Sequence, residues 1–187
     1  MLLSPLLALV AALIRLDSNG PALFTQRRYG FNQEAFRIFK FRSMTTMEDG
    51  RDIAQAKVQD PRVTRIGRFI RRYNIDELPQ LINVLRGEMS LVGPRPHAIA
   101  HDDEYKARIA NYALRHHVKP GLTGAAQVAG FRGATPHLSQ MERRVERDLW
   151  YVDNWSMALD LKILVATAFI AARCDAASRP AAANNRT

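Results

Sequence analysis

The 187-residue sequence contains only one cysteine, Cys174. A single cysteine cannot form an internal disulfide bond, and its neighbours supply no metal-ligand pattern, which suits a protein of a reducing compartment. The four glycines at 121, 124, 130 and 133 are not followed by the Lys-Ser/Thr pair of a P-loop. His116 and His117 are adjacent, so they do not share a helix face and are a poor metal-binding pair. The sequence therefore gives no sign of a disulfide-stabilised fold, a P-loop nucleotide site or a histidine metal centre.

Acidic residues are few, since 18 Asp and Glu stand against 27 Lys and Arg, for a formal net charge of +9. This imbalance favours an anionic partner, which is a nucleic acid, an anionic membrane surface or a phosphorylated substrate. A nucleic-acid-binding module would leave the adjacent Asp76 and Glu77 and the apolar N-terminal segment unexplained. We therefore expect no nucleic-acid partner.

The apolar N-terminal run is also short. Its first 14 residues carry no charge, whereas a helix that crosses a bilayer needs about 20 apolar residues. Pro5 interrupts the run, and the missing basic region and cleavage site make a signal peptide the weaker interpretation. A buried core helix and a segment that enters a membrane without crossing it both remain open. We favour the membrane segment because Arg15 and Asp17 end the run abruptly.

The patterns that are present predict an α+β, mainly helical fold with a small β-hairpin. Residues 22–28 and 35–43 flank a turn that contains Gly30 and Asn32, which is typical of such a hairpin. Apolar residues at helical spacing over 61–75 predict a basic amphipathic helix, which could lie on a membrane or face water.

A second helix is predicted to begin at Asp76 and to end at Gly87, with Pro79 tolerated in its first turn. The other segments are a loop with a short helix over 44–60, an extended connector over 90–97, a helix over 101–116, a glycine-rich loop over 119–136 through which backbone approaches a ligand, a helix that starts at Thr135-Pro136, an apolar segment with aromatic anchors over 150–172 and a disordered tail from Arg173.

Asp76 and Glu77 are two neighbouring carboxylates in a basic surrounding. Asp76 could simply cap a helix N-terminus, with Glu77 adding favourable charge in the first turn. The same position also suits phosphate chemistry, because helix N-termini and arginines such as Arg71 and Arg95 bind phosphate oxygens. One carboxylate could then attack phosphorus while the other holds Mg²⁺. The two interpretations are compatible, since a cap can also be a nucleophile.

Five motifs in order resemble the bacterial sugar transferases called monotopic phosphoglycosyl transferases, and the resemblance runs from Ser4-Pro5 to about Ile170. The motifs are Lys40-Phe41-Arg42-Ser43-Met44, Asp76-Glu77-Leu78-Pro79-Gln80, Gly93-Pro94-Arg95-Pro96, Val118-Lys119-Pro120-Gly121-Leu122-Thr123-Gly124 and Asp160-Leu161-Lys162-Ile163.

The resemblance implies a Mg²⁺-dependent transfer of a sugar 1-phosphate from a UDP-sugar to polyprenyl (undecaprenyl) phosphate, with release of UMP. It implies that Asp76 is the nucleophile and forms a covalent aspartyl-phosphosugar, and that Glu77 is a metal-associated acid, both being candidate metal ligands. It also implies an enzyme on the cytoplasmic face of the bacterial inner membrane, and it is compatible with a homodimer. The substrate-binding candidates are Lys40, Arg42, Arg71, Arg95, Gln127 and Arg132.

Ser4-Pro5 is similar to the break in the family's re-entrant membrane helix. We therefore expect residues 1–16 to be the second half of that helix, residues 17–172 to be the catalytic domain and residues 173–187 to be a disordered tail. The half of the re-entrant helix before the Ser-Pro break is expected to be absent from this chain.

The segments 97–105, 115–121 and 130–135 look most like the subgroup that uses UDP-glucose in exopolysaccharide, capsule or O-antigen assembly. UDP-galactose and UDP-N-acetylhexosamines remain alternatives, as does an inactive membrane-surface homologue. The last alternative arises because Ala125 and Ala129 stand where the family commonly has Trp and Asn.

Overall fold

The computed structural model describes residues 4–46, 60–133 and 137–176 of the chain. They form a mixed helical and β structure with a small antiparallel hairpin, which confirms that part of the predicted fold class. The helices are α1 (Ser4–Asp17), α2 (Arg65–Arg72), α3 (Gln80–Leu85), α4 (Ile99–Arg108), α5 (Ala125–Val128), α6 (Leu138–Asp153) and α7 (Met157–Ala176), and the strands are β1 (Leu23–Tyr29), β2 (Ala35–Phe41), β3 (Ser90–Val92) and β4 (Gly121–Thr123).

The predicted hairpin is confirmed as the antiparallel pair of β1 and β2, with Leu23 opposite Phe41 and Tyr29 opposite Ala35. Its turn is a short 3₁₀ segment in which Asn32 has a φ of 51°. Asparagine tolerates this left-handed conformation better than most residues, which explains its place in the turn. The loop predicted over 44–60 lies outside the described residues from 47 to 59.

The N-terminal helix α1 packs against the hairpin by one face. Val10 and Ile14 are buried in a cluster with Phe41 of β2 and Ile70 of α2. The carboxylate of Asp17 accepts a hydrogen bond of 2.9 Å from the backbone N–H of Ile66 and so joins the end of α1 to the start of α2. The other face exposes a row of leucines, which are Leu6, Leu9, Leu13 and Leu16.

The helix predicted to begin at Asp76 begins later than the sequence indicated. Ile75–Glu77 form a separate 3₁₀ turn, and α3 starts at Gln80. The separation has a physical cause, because Pro79 has no N–H to donate to the carbonyl of Ile75 in an α-helical ladder. The N–H of Leu78 donates to that carbonyl instead, at 3.1 Å. The predicted end is confirmed, since Gly87 follows the last residue of α3 with a φ of 76°.

The glycine-rich segment forms a parallel strand pair that the sequence did not indicate. Ser90 of β3 pairs with Gly121 of β4, and Val92 pairs with Thr123. A Cβ on Gly121 would lie 2.1 Å from the backbone nitrogen of Gly93, so a side chain there would prevent the approach of the two strands. We expected the glycines of this segment to let backbone approach a ligand. Gly121 instead allows two backbone segments to approach each other.

The helix predicted over 101–116 is divided into two pieces. α4 ends at Arg108, and a 3₁₀ segment runs from Tyr112 to His117 after Asn111, which has a φ of 60°. Tyr105 and Tyr112 from these pieces pack with Met141 of α6 in one buried cluster.

The C-terminal helix α7 runs to Ala176, beyond the position at which we expected a disordered tail to begin, and the rest of that tail lies outside the described residues. The predicted start of the preceding helix at Thr135-Pro136 also lies outside them, and α6 begins at Leu138. Within the described part of the chain, no helix combines the length and the apolar character needed to span a membrane.

Candidate active site

A cavity of about 450 Å³ lies between the hairpin, the Ile75–Glu77 turn and the connector that follows β3. Seven of the eight residues predicted to act on or bind substrates line it together, although they come from distant parts of the chain. They are Lys40, Arg42, Arg71, Asp76, Glu77, Arg95 and Arg132.

Asp76 is the carboxylate of this cavity that remains unpaired. It lies in the 3₁₀ turn, is partly exposed, and makes no hydrogen bond or ion pair with another described residue. Burial raises the pKa of Asp76 to about 6, against the opposing attraction of Lys40. It does not cap α3, because the residue before that helix is Pro79 and no side chain caps it. The expected role of Asp76 as a helix cap is therefore wrong.

Glu77 has the opposite environment, since its carboxylate is held by two cations. Lys40 Nζ donates to its Oε1 at 3.0 Å, and Arg95 binds both oxygens, with Nη1 3.1 Å from Oε2 and Nη2 against Oε1. Burial alone would raise the pKa of Glu77, but Arg95 and Lys40 outweigh burial and hold the pKa well below its usual range. Glu77 is thus an ionised anchor for the two basic side chains.

The guanidinium of Arg95 is aimed by its backbone as well as by Glu77. Pro94 and Pro96 restrict the chain on either side, and the residue before a proline is confined to extended conformations. The carbonyl of Arg95 accepts a hydrogen bond of 2.7 Å from Arg115, and that of Pro96 accepts one of 3.2 Å from Arg28. The connector is therefore fixed at two successive carbonyls.

Two of the predicted substrate-binding residues have different surroundings from those expected. The guanidinium of Arg42 donates to the carbonyls of Ser18 at 2.6 Å, Ile14 at 3.4 Å and Asn19, and so fastens the end of α1 to the hairpin. Gln127 is buried in α5 and does not line the cavity. Gln127 was a candidate from the family resemblance, and its part in substrate binding stays a prediction.

Arg71 and Arg132 stand at the rim of the cavity. Arg132 Nη2 donates to Asn74 Oδ1 at 2.9 Å, which joins the segment after α5 to the start of the Ile75–Glu77 turn. Asn74 can hold this place because it adopts a φ of 55°, which turns the chain from α2 into the Ile75–Glu77 turn.

Several cavity residues were not predicted from the sequence, among them Gln26, Arg28, Arg62, His97, His101 and Arg144. For Arg144 a signal was present, because it shares the buried face of α6 with Met141, Val145 and Asp148. A charged residue on the apolar face of a helix indicates either a buried partner or a site. Arg144 serves the site, with Nη2 also donating to the Gly133 carbonyl at 2.8 Å.

A buried polar cluster supports the connector from behind. Arg115 Nη2 lies 2.7 Å from Asp148 Oδ2, and Arg115 Nη1 lies 3.5 Å from Asp102 Oδ1. Tyr112 donates its hydroxyl hydrogen to the same oxygen of Asp102, and His97 Nδ1 lies 2.7 Å from the Tyr112 hydroxyl. Because Arg115 also binds the Arg95 carbonyl, the cluster links α4 and α6 to the wall of the cavity.

The profile of the bacterial sugar transferase family matches residues 1–173, which is nearly the whole chain. The chain belongs to this family.

Named relatives of this sugar transferase agree on the class of reaction. It is 56% identical over 166 residues to a protein of Caulobacter vibrioides and 52% identical over 169 residues to one of Escherichia coli K12, both named UDP-glucose:undecaprenyl-phosphate glucose-1-phosphate transferase. These matches cover 89% and 90% of this chain. A relative from Aeromonas hydrophila, 43% identical over 166 residues (89% of this chain, 39% of the relative), is named UDP-N-acetylgalactosamine-undecaprenyl-phosphate N-acetylgalactosaminephosphotransferase.

The chain spans only part of the length of these relatives, with 62% of the Caulobacter protein and 36% of the E. coli protein covered. The shared segment contains the whole cavity described above, since its lining residues run from Phe24 to Arg144.

The predicted Mg²⁺ can be tested against the donors of the cavity. Within the described residues, no group of three or more His, Cys, Asp or Glu side chains is placed to hold a metal ion. Mg²⁺ in phosphate-transfer sites, however, is commonly bound by one or two carboxylates together with substrate phosphates and water. Asp76 offers an unpaired carboxylate for this, whereas the oxygens of Glu77 already accept hydrogen bonds from Lys40 and Arg95. The site therefore fits Mg²⁺ at Asp76, and the part of Glu77 in binding it stays a prediction.

Proposed function

We propose that this sugar transferase transfers glucose 1-phosphate from UDP-glucose to polyprenyl phosphate and releases UMP. The observation that carries the proposal is the unpaired carboxylate of Asp76 on the wall of a strongly basic cavity. A basic cavity suits two phosphorylated substrates, and an unpaired carboxylate is available as a nucleophile. The names of the Caulobacter and E. coli relatives support the choice of sugar and lipid.

The reaction proposed has two displacements at one phosphorus atom. An oxygen of the Asp76 carboxylate attacks the sugar-bearing phosphorus, the bond from that phosphorus to the bridging oxygen breaks, and UMP leaves with the bond's electron pair. The product is a covalent aspartyl-phosphosugar. An oxygen of polyprenyl phosphate then attacks the same phosphorus, and the carboxylate of Asp76 is released. Both nucleophiles are ionised near neutral pH, so neither step requires a general base.

The basic side chains have separate tasks in this scheme. Lys40 and Arg95, held by Glu77, face the phosphates and offset the repulsion between the Asp76 carboxylate and a diphosphate. Arg71 and Arg132, which also line the cavity, bind the nucleotide end or the phosphate of the lipid in this proposal. Mg²⁺, held by Asp76 and the substrate phosphates, supplies further charge neutralisation when it is bound.

Other donors and an inactive protein are the alternatives. The name of the Aeromonas relative favours an N-acetylhexosamine as the second candidate sugar. The inactive homologue was suggested by Ala125 and Ala129, but Ala125 packs in a buried cluster with Val92, Tyr151 and Ile163, and neither alanine lines the cavity. The two alanines therefore give no reason to expect an incomplete site.

The proposal also places the protein on the cytoplasmic leaflet of the bacterial inner membrane, without crossing it. Apolar side chains are exposed along α1 and α7, as are Trp150 in the last turn of α6 and Trp155 between α6 and α7. Aromatic residues at the edge of an apolar surface are typical of a membrane interface. Ser4 and Pro5 begin α1, and their part in a re-entrant break stays a prediction, as does a homodimer. Cysteine labels at Leu6 and Arg15 should both react from the cytoplasmic side, and labelling from opposite sides would contradict this placement.

The experiment that tests the function mixes the protein with UDP-glucose and Mg²⁺ in the absence of lipid. We expect one sugar phosphate on Asp76, located by mass spectrometry, and an equal amount of UMP. Asp76→Asn should remove both the adduct and the turnover with lipid, while the melting temperature changes little, because Asp76 makes no hydrogen bond that the amide would lose. An adduct on Glu77, or UMP that appears only after lipid is added, would contradict the assigned roles.

A further inference from the structure

His97 presents one ring nitrogen to the buried cluster and leaves the other without a partner. Nδ1 lies 2.7 Å from the Tyr112 hydroxyl and 3.1 Å from Arg115 Nη1. Nε2 is buried and has no hydrogen-bond partner among the residues that the structure describes. His97 is 8% exposed and yet lines the cavity that contains Asp76.

The ring is neutral, because burial and the neighbouring Arg115 lower the pKa of His97 to about 3. A neutral imidazole carries one hydrogen, so Nε2 is a donor in one tautomer and an acceptor in the other. In either state a buried nitrogen without a partner is costly, and such atoms in folded proteins are usually paired. Because His97 also lines the cavity, a ligand bound there is the candidate for the missing partner of Nε2.

The hydrogen-bonding chemistry of Nε2 indicates which group of the UDP-sugar could be its partner. A phosphate oxygen can only accept, and the cavity already offers Lys40 and Arg95 to phosphates. A hydroxyl both donates and accepts, so it pairs with Nε2 in either tautomer of the ring.

The position of His97 favours the hydroxyl groups of the hexose over those of the ribose. His97 follows Arg95 by two residues in the chain, and both residues line the cavity. Arg95 is bound to Glu77, the neighbour of Asp76, so the reacting phosphorus lies near this end of the cavity. That phosphorus bears the hexose, whereas the ribose is separated from it by a second phosphate.

We propose that His97 Nε2 binds a hydroxyl group of the donor's hexose and so helps to select the sugar. This inference rests on the proposed function and adds a residue that determines specificity. The buried cluster then has a purpose beyond packing, because it holds the ring through Nδ1. Nδ1 donates to the Tyr112 hydroxyl in one tautomer and accepts from Arg115 in the other, and Nε2 is left for the sugar in both.

The test compares His97→Asn with wild type on UDP-glucose and on its 2-, 3-, 4- and 6-deoxy analogues, with UMP release as the readout. Asparagine places an amide near the Nδ1 position and has no group at Nε2, so contact with the cluster is retained while the sugar contact is lost. We expect His97→Asn to lower kcat/KM for UDP-glucose about tenfold, as for loss of one hydrogen bond. For wild type, kcat/KM should be about tenfold lower on one of the deoxy donors than on UDP-glucose. On that deoxy donor, His97→Asn and wild type should have the same kcat/KM, because the hydroxyl that His97 binds is already missing.

Tyr112→Phe is the matched control, because it removes a partner of Nδ1 and leaves Nε2 in place. It should lower the melting temperature and affect all donors by the same factor. Inhibition by UMP should be unchanged in His97→Asn.

Three results would overturn the inference. If His97→Asn lowers kcat/KM by the same factor on every donor, His97 has a structural role alone. If UMP inhibits His97→Asn more weakly than wild type, the contact is with the nucleotide. If wild type releases no UMP from any UDP-hexose, the proposed function fails and this inference fails with it. That last outcome is seen before any variant is made, so it is distinct from the first two.

Discussion

Asp76 and Glu77 are adjacent in the chain, but their carboxyl groups are in opposite electrostatic states. Burial raises the pKa of Asp76 to about 6, whereas Arg95 and Lys40 overcome the burial of Glu77 and lower its pKa. The difference follows from direct contact, since Glu77 has two cations within hydrogen-bond distance, whereas Asp76 has none among the residues that the structure describes. One carboxylate is thereby kept available for a substrate while the other holds the cations in place.

The raised pKa of Asp76 predicts an acid limb in the pH profile. Only the ionised carboxylate attacks phosphorus, so kcat/KM should fall below about pH 6 as Asp76 is protonated, by about tenfold per pH unit well below the pKa. A bound cation favours the ionised form, so higher Mg²⁺ should move the limb to lower pH. The measurement is the initial rate of UMP release from pH 5 to 8 at two Mg²⁺ concentrations, with circular dichroism to confirm folding. A flat profile would show that Asp76 does not titrate in this range.

The variant Glu77→Gln distinguishes between two roles of Glu77, which are to hold Lys40 and Arg95 in place or to bind the metal ion. Neutral glutamine keeps the shape but loses two charged hydrogen-bonded contacts, so we expect kcat/KM to fall by about a hundredfold. If Glu77 acts through Lys40 and Arg95, raising Mg²⁺ will not restore the rate. Recovery at high Mg²⁺ would instead assign Glu77 to the metal. Glu104→Gln is the control, because Glu104 pairs with Arg108 on the exposed side of α4, and its kinetics should match wild type.

Among the elements, α3 and β2 are joined by a single buried side chain. Asn83 is fully buried and accepts a hydrogen bond of 3.0 Å from the Phe39 N–H, while its amide donates to the Arg37 carbonyl at 2.7 Å. Lys40 follows Phe39 in the chain, and Glu77 precedes α3. Asn83 therefore helps to position Lys40 and Glu77 for their ion pair.

Asn83→Ala should therefore destabilise the protein and weaken its activity together. It removes the side-chain partner of the part-buried Phe39 N–H and of the Arg37 carbonyl, and we expect the melting temperature to fall by roughly 5–10 °C. Asn19→Ala is the matched control, since Asn19 is exposed and contributes only its backbone carbonyl to Arg42. A melting temperature for Asn83→Ala equal to that of Asn19→Ala would contradict the role given to Asn83.

The elements also show which features of the fold are local. The hairpin was predictable because its strands are adjacent in the chain and its turn residues tolerate unusual φ angles. The break between the Ile75–Glu77 turn and α3 was not recognised, because Pro79 is acceptable in the first turn of a helix and does not reveal that the helix starts after it. The pairing of β3 with β4 joins segments about 30 residues apart, and no local pattern indicates it.

The same limit applies to the candidate site. Asp76, Glu77 and Arg95 were identified from short motifs, and the structure brings them together. Gln127 was a candidate from the family resemblance, and it does not line the cavity. The cluster around Arg115 was not predicted, because it joins residues from four separate segments and only the fold brings their charges together.

At the scale of the whole molecule, apolar residues lie both in the core and on the surface. In α1, Val10 and Ile14 are buried while the leucines of the opposite face are exposed, so the interpretation as a buried core helix describes only one of its faces. In α7, Leu161, Val165 and Phe169 are exposed at intervals of four residues, whereas Ile163 is buried. Each helix thus packs on the protein by one face and presents apolar side chains on another.

The exposed apolar row of α7 predicts how the protein is held at a membrane. Replacing Leu161, Val165 and Phe169 together by Gln should weaken partition into lipid vesicles by on the order of a hundredfold, because each side chain contributes roughly 1 kcal/mol when half of it leaves water. The melting temperature in detergent should change little, since the three side chains face outward. The double variant Ala107→Gln and Ala110→Gln adds exposed polar groups without removing a large apolar one, and its partition should equal that of wild type. Vesicle flotation measures the partition, and unchanged flotation of the α7 variant would show that this row does not contact the bilayer.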